Sequence, residues 1–497
     1  MKPDQRVAQL TATRTIAIST AWNLFGRLFP LLIALVATPL LLHAMGLVRW
    51  GIFSLGLALM TTFGIFDIGL GRALTRTIAH AIAHGEDATA AAATKTGILV
   101  LAGLGVIFGI LVAVGLHFYV GHALRIPPSL RPEVMTALDL LCIAVPLVVV
   151  NGALWGVLAA YQSVGAYTVI NLPILALYYL GPVATLAIWH SLVPVMAVQV
   201  FCRALMTLVA WRLTRRVMPG LATARVSLGA IRPVLRLGGW MTVSNLAWPV
   251  LLYLDRFVIA SVLTPAAAAW YATPFDVIFR FTTMPQAVMA AAFPAMTTAH
   301  RAAPQRAALL YRRTLLAVGA MVLPASLVAI AMAGPLLRLW LGAPFALHAA
   351  PVLRLMGFGV LFYSLDIVAN GLVDGLGRPA FNACLAVLEI AILIPLLLVL
   401  LPLWGVVGAA ASWVARIAIS FLLRLWLLTR IFPEARGVLR RLAPVFGLAL
   451  LALFGALEGP IAAAAGLLAV FGLAWVLGLD GAERAAFLVR LRRAPAP

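Results

Sequence analysis

Asp255, Arg256, Asp276 and Arg280 lie within one apolar stretch, Ser244 to Phe281, which reads SNLAWPVLLYLDRFVIASVLTPAAAAWYATPFDVIFRF. A charged side chain held among lipid tails costs several kcal/mol unless it is paired or faces a wet cavity. Two chemistries fit these residues. The guanidinium forks of Arg256 and Arg280 suit the oxygens of an anionic, phosphate-bearing ligand. Alternatively the charges neutralise one another, Asp276 with Arg280 at i, i+4 on one helix and Asp255 beside Arg256. Arg27 joins the substrate-binding candidates, because its own apolar run contains no acid.

Further acids fall inside apolar runs: Asp67, Asp139, Asp366 and Glu389. With Asp255 and Asp276 they are candidates either for coupling an ion or for pairing with the arginines. Asp67, close to Arg72 and between glycines, suits a salt bridge or helix-end contact. Arg203 and Arg416 are deep in their runs and read as side chains that snorkel to an interface. His80 and His84 share a helix face at i, i+4, but no further ligands accompany them, so the segment reads as a polar surface helix and no metal site is expected.

Cys142, Cys202 and Cys384 are odd in number and far apart, which suggests neither a disulfide framework nor a thiolate centre. Walker A, HExxH and G-x-S-x-G patterns are absent, so the sequence offers no catalytic constellation and no cofactor site. If the chain moves a ligand, the driving force comes from elsewhere. A charge falling through a membrane potential releases about 2.3 kcal/mol per 100 mV, which is an adequate source.

The scaffold for these groups is a membrane bundle. Of the 497 residues 64% are hydrophobic and 10% charged, and the mean hydropathy is +1.07. That composition belongs to an all-α polytopic membrane protein. A span needs roughly 20 apolar residues. Cutting at polar, Pro-rich and Arg-rich breaks gives about fourteen: 15–42, 48–69, 95–119, 135–160, 166–188, 192–212, 238–262, 267–296, 314–334, 350–373, 380–401, 405–428, 442–457 and 461–479. The first of these is too long for a signal-peptide core. The formal charge of +21 follows topology rather than a nucleic-acid surface. Lys2 to Arg14, Arg212 to Arg236, Arg301 to Arg313, Arg430 to Arg441 and Arg484 to Arg493 all fall on one side, while the opposite loops hold only Arg49, Arg125, Arg131, Arg338 and Arg354. The positive-inside rule therefore places both termini in the cytoplasm.

The basic segment 213–237 divides the spans. Residues 1–212 form an N-terminal lobe of spans one to six, 238–430 a C-terminal lobe of spans seven to twelve, and 431–497 two more spans with a basic tail. RWGIFSLGLAL at Arg49 to Leu59 and AAWYATPFDVIF at Ala268 to Phe279 suggest an internal repeat, which would relate the lobes about the membrane normal with a cavity between them. Prolines within the spans, such as Pro146, Pro274 and Pro324, mark bends. Gly105 and Gly109 form a GxxxG suited to helix packing within the chain.

Several runs, in order, resemble the bacterial polysaccharide transporter family of the multidrug/oligosaccharidyl-lipid/polysaccharide (MOP) exporter superfamily. They are Met45 to Leu55 with Phe66 to Ala73 (MGLVRWGIFSL, FDIGLGRA), Asp255 to Ile259 with Trp270 and Tyr271, Gly375 to Pro379 (GLGRP), and Pro402 to Ala411 (PLWGVVGAAA). The resemblance covers the chain to about residue 430. It implies a V-shaped pair of six-helix lobes in the bacterial inner membrane. The implied activity is the flipping of oligosaccharide units of exopolysaccharide or O-antigen, linked to undecaprenyl pyrophosphate, from the inner to the outer leaflet. Partners on that reading are the glycolipid, membrane lipids and the polysaccharide polymerase and export proteins. The last two spans exceed the family's usual twelve, and the lipid II flippase branch also has fourteen. Alternatives on the same fold are that lipid II flippase and a multidrug exporter, against which surplus arginine argues.

Overall fold

The computed structural model describes residues 32–63, 74–82, 84–161, 163–227, 249–481 and 483–484. Among them the secondary structure is helical, without strands. The N-terminal helices are α1 (Leu32–Met45), α2 (Leu47–Phe63), α3 (74–82), α4 (Asp87–Phe118), α5 (Arg131–Ala160), α6 (Val164–Leu186) and α7 (Leu192–Val217). Then follow α8 (249–262), α9 (Pro265–Phe279), α10 (Thr283–Ala302), α11 (Pro304–Ala331), α12 (Ala333–Leu341), α13 (Ala343–Gly375), α14 (Pro379–Ile431), α15 (Glu434–Gly455) and α16 (Pro460–Leu473). Nine helical segments among the described residues are long and apolar enough to cross a membrane.

One of those nine is in fact two. α14 reverses at Gly405, whose φ of 60° lies in the left-handed region that a Cβ disfavours. After the reversal the returning arm packs so tightly that a Cβ on Gly408 would lie 1.9 Å from the Leu400 carbonyl oxygen. The two glycines of PLWGVVGAAA thus make a helical hairpin, matching the separate runs expected at 380–401 and 405–428.

The run expected as one span over 267–296 is helical throughout but tightens midway. Arg280–Thr282 form a 3₁₀ turn between α9 and α10. Pro285 is the reason, because it has no N–H to give the Phe281 carbonyl. The GxxxG glycines act within the chain: a Cβ on Gly105 would sit 2.6 Å from Pro146 Cα, and one on Gly109 3.1 Å from the Cys142 carbonyl oxygen. The outer face of α4 is correspondingly apolar and exposed, through Leu99, Val106, Ile110, Val114 and Phe118. A face of that kind is stable against lipid and not against water.

The chain divides into two compact units, Met1–Tyr253 with Ala260–Ala269, and Leu254–Ile259 with Trp270–Pro497. In the first unit a clamp joins three helices. Arg49 on α2 forks onto Glu133 of α5, Nε to Oε1 at 3.0 Å and Nη2 to Oε2 at 2.9 Å. The Leu192 N–H at the start of α7 donates to the same Oε1 at 2.7 Å.

In the second unit, α15 and α16 are fastened to α11 by the segment that follows them. Asp480 accepts from Arg312 at 2.7 Å and pairs with Arg441 at 2.6 Å, and Glu483 accepts from Arg312 and Arg313 at 2.7 and 2.6 Å. The Arg312 guanidinium, then that of Arg441, holds the Asp480 carboxyl down at about 2. Burial pushes Glu483 the other way, but the Asp480 N–H and the guanidiniums of Arg313 and Arg312 keep it below the ordinary carboxylate range.

Candidate functional site

Neighbours on a helix point about 100° apart, so Asp255 and Arg256 on α8 reach different partners. Asp255 accepts from the Tyr271 hydroxyl and, at 2.8 Å, from the Arg256 backbone N–H. Arg256 forks onto Asp276 of α9, Nη2 to Oδ1 at 2.5 Å and Nη1 to Oδ2 at 3.3 Å, and lies 5.4 Å above the Phe275 ring. The expected Asp276–Arg280 pair is therefore replaced by a contact between helices. The two ends of that contact differ: the Arg256 side chain is 1% exposed and that of Asp276 44%.

Asp366 and Glu389 belong to a second network in the same unit. On the returning arm of α14, Arg416, Ser420 and Arg424 recur every four residues and share one face. Glu389, on the outgoing arm, accepts from Arg416 Nη1 and Ser420 Oγ, each at 2.5 Å, and faces Arg424 Nη2 at 3.8 Å. Arg424 binds Asp366 of α13 through Nη1 and Asn382 through Nε at 3.1 Å, and Asn382 in turn donates to Asp374 at 2.7 Å. Arg416 does not snorkel; it is 4% exposed against 12% for Glu389. Sequence reasoning overlooked Ser420, Arg424 and Asn382, although the spacing of 416, 420 and 424 carried the signal.

Arg280 sits half-buried in the 3₁₀ turn, with no carboxylate in ion-pair range among the described residues; its carbonyl accepts from Thr283 Oγ1 at 2.8 Å. Arg27 and Asp67 lie outside the described residues. Asp139 of α5 lies 3.4 Å from the His117 ring of α4. His80 of α3 stacks at 4.2 Å on His84 in the turn that follows, and among the described residues no three His, Cys, Asp or Glu side chains converge as a metal ion requires.

The arrangement can hold anions at guanidiniums and rearrange charge between carboxylates. The model of a family described as polysaccharide biosynthesis protein matches residues 16–300 of the chain. A putative O-antigen transporter from Shigella flexneri is 26% identical over 426 residues, covering 84% of this chain and 98% of that protein. An inward-facing multidrug resistance MATE family transporter of the MOP superfamily superposes with a TM-score of 0.66 at 13% identity, over 83% of this chain and 99% of its own. The lipid II flippase MurJ, in an inward closed conformation, also gives 0.66 at 13% identity, over 96% of this chain and all 100% of its own. These two show a shared fold, and the MurJ match extends over α15 and α16 as the twelve-span pattern would not. With its helices, its buried ion pairs and a family match over more than half its length, the chain is a multi-pass membrane protein that belongs to the polysaccharide biosynthesis protein family and shares the fold of those two solved structures.

Proposed function

We propose that the chain flips undecaprenyl-pyrophosphate-linked oligosaccharide repeat units, of exopolysaccharide or O-antigen, from the cytoplasmic to the periplasmic leaflet of the bacterial inner membrane. Family membership and the likeness to a putative O-antigen transporter support the cargo class. The observation that carries the reading is Arg280, a guanidinium without a carboxylate among the described residues, in the 3₁₀ turn that joins α9 to α10. A pyrophosphate supplies the charge that such a group lacks. Arg27 belongs to the same reading from its sequence. Arg256 enters it through Asp276, whose exposed edge it fixes.

Passage of a pyrophosphate and its sugars through bare hydrocarbon costs tens of kcal/mol, which a polar route by alternating access of the two lobes removes. Both termini are cytoplasmic on this reading, as the arginine distribution requires. An ion gradient or the membrane potential drives it, with Asp255, Asp276, Asp366 and Glu389 as the candidates that couple an ion.

The test is complementation of a host lacking its own flippase. Arg280→Ala should leave lipid-linked oligosaccharide in the inner leaflet and reduce surface polysaccharide at least about tenfold, the equivalent of one lost charged hydrogen bond. Arg280→Lys should retain part of the activity. Normal surface polysaccharide in Arg280→Ala, at normal protein level, would refute the assigned role.

A further inference from the structure

The first unit contains a polar track that neither network above uses. On α6, Tyr167, Asn171 and Tyr178 fall at i, i+4 and i+11 and share a face; on α7, Gln199, Arg203 and Thr207 recur every four residues. The two faces meet, since Gln199 Nε2 donates to the Tyr178 carbonyl at 3.0 Å and the Arg203 guanidinium lies 5.3 Å over the Tyr178 ring. α5 closes the third side: Thr207 Oγ1 reaches the Leu147 carbonyl at 3.1 Å, and Asn151 Oδ1 accepts from the Tyr167 hydroxyl at 3.1 Å. From Tyr167 to Tyr178 the track is roughly 16 Å long.

Arg203 lies midway along a helix of 26 residues. Unlike Arg256, Arg416 and Arg424, it has no carboxylate partner among the described residues, and its buried Nε makes no hydrogen bond. The neutral Tyr178 side chain lies against the Arg203 guanidinium, but a charge at that depth still needs water or an anion to balance it. Three amide atoms beside it share its condition: Asn151 Nδ2, Asn171 Oδ1 and Gln199 Oε1 are buried without partners. Two of the amides cannot be turned round to cure this. Asn171 Nδ2 donates to the Tyr167 carbonyl at 2.8 Å, as Gln199 Nε2 does to that of Tyr178, and of an amide's two ends a carbonyl can accept only from the N–H end. Their oxygens are therefore left as the unsatisfied ends, with Gln199 1% and Asn171 9% exposed. Each unpaired buried group costs about 1–3 kcal/mol.

The mixture of atoms selects the ligand. A bare phosphate offers only acceptors and would satisfy Arg203 and Asn151 but not the two amide oxygens. Sugar hydroxyls both donate and accept. We propose that Arg203, Asn151, Asn171 and Gln199 form a binding site for the sugar chain next to the phosphate of the cargo, with the anionic group at Arg203 and hydroxyls at Asn171 Oδ1 and Gln199 Oε1. This site rests on the flippase reading and adds to it a contact for the glycan within the first unit.

The experiment measures binding of two probes, undecaprenyl pyrophosphate and the same lipid carrying N-acetylglucosamine, to the purified full chain in nanodiscs by native mass spectrometry. Arg203→Ala should weaken both probes about tenfold, and Gln199→Leu should weaken the sugar-bearing probe alone by a similar factor. Asn151→Asp, which offers Arg203 a carboxylate across Tyr167, should keep or raise the melting temperature while weakening both probes, and it serves if Arg203→Ala does not fold. Wild-type affinity for both probes in Arg203→Ala and Gln199→Leu, or in Asn151→Asp, would overturn the site and leave the flippase reading standing. Failure of the wild type to bind either probe would overturn that reading, and the site with it.

Discussion

Glu389→Gln should be among the most destabilising single changes in the second unit, and its cost should exceed that of removing its partner. Among the described residues Glu389 is the one carboxylate in ion-pair range of Arg416, with Nη1 to Oε2 at 2.5 Å, and both side chains are almost wholly shielded. Neutralising it leaves a buried guanidinium uncompensated, a loss of about 3–5 kcal/mol. Arg416→Met is different, because Glu389 keeps Ser420 at 2.5 Å and has Arg424 at 3.8 Å to turn to; about 1–2 kcal/mol is expected. In the double variant no unpaired charge remains, so it should cost no more than Arg416→Met, giving a coupling energy of about 3 kcal/mol. Reversible unfolding of the purified protein in mixed micelles near pH 7 measures all four corners of the cycle. A Glu389→Gln variant within about 1 kcal/mol of wild type, or a coupling under about 0.5 kcal/mol, would show that the pair is not desolvated as described.

Ala at Gly408 places a methyl group against the Leu400 carbonyl and should cost about 1–3 kcal/mol or more, whereas Ala at Gly447, with no atom within 4 Å of its Cβ, should be neutral or gain up to about 1 kcal/mol from helix propensity. Equal stability of the two variants in the same unfolding assay would contradict the close hairpin. Asp480 has a folded-state value depressed to about 2 from 3.8. Its pairs with Arg312 and Arg441 therefore contribute fully above about pH 4 and fade as pH falls toward 2. Protection of the segment after α16 from proteolysis should accordingly be flat from about pH 5 to 8 and collapse near pH 2 to 3, while Asp480→Asn should lose it already at pH 7.

Much of the scaffold could be read directly because hydrocarbon permits few alternatives. A run such as 314–334 or 461–479 has to be helical in lipid, and an arginine-rich break has to leave it. The hairpin at Gly405 was visible as a Pro-Leu-Trp-Gly punctuation. The 3₁₀ tightening at Arg280 was hidden, because Pro285 acts on a carbonyl four residues earlier and leaves the apolar run intact. Charge pairing was the least legible. Asp276 and Arg280 looked like partners at i, i+4, but the carboxylate turns to Arg256 on another helix, and linear spacing carries no such information. Arg203 and Arg416 looked alike from the sequence; one has a carboxylate 27 positions away in the chain, while among the described residues the other has none.

The Glu133 clamp has a consequence for biogenesis. Arg49 and Glu133 are 84 positions apart and Leu192 a further 59. At about 5–20 residues per second, the ribosome therefore leaves Arg49 waiting roughly 4–17 s for its carboxylate, and several seconds more for the N–H that completes the clamp. Nascent chains arrested before residue 133 should thus expose an unlatched α2 to membrane quality control, and those arrested well beyond residue 192 should escape.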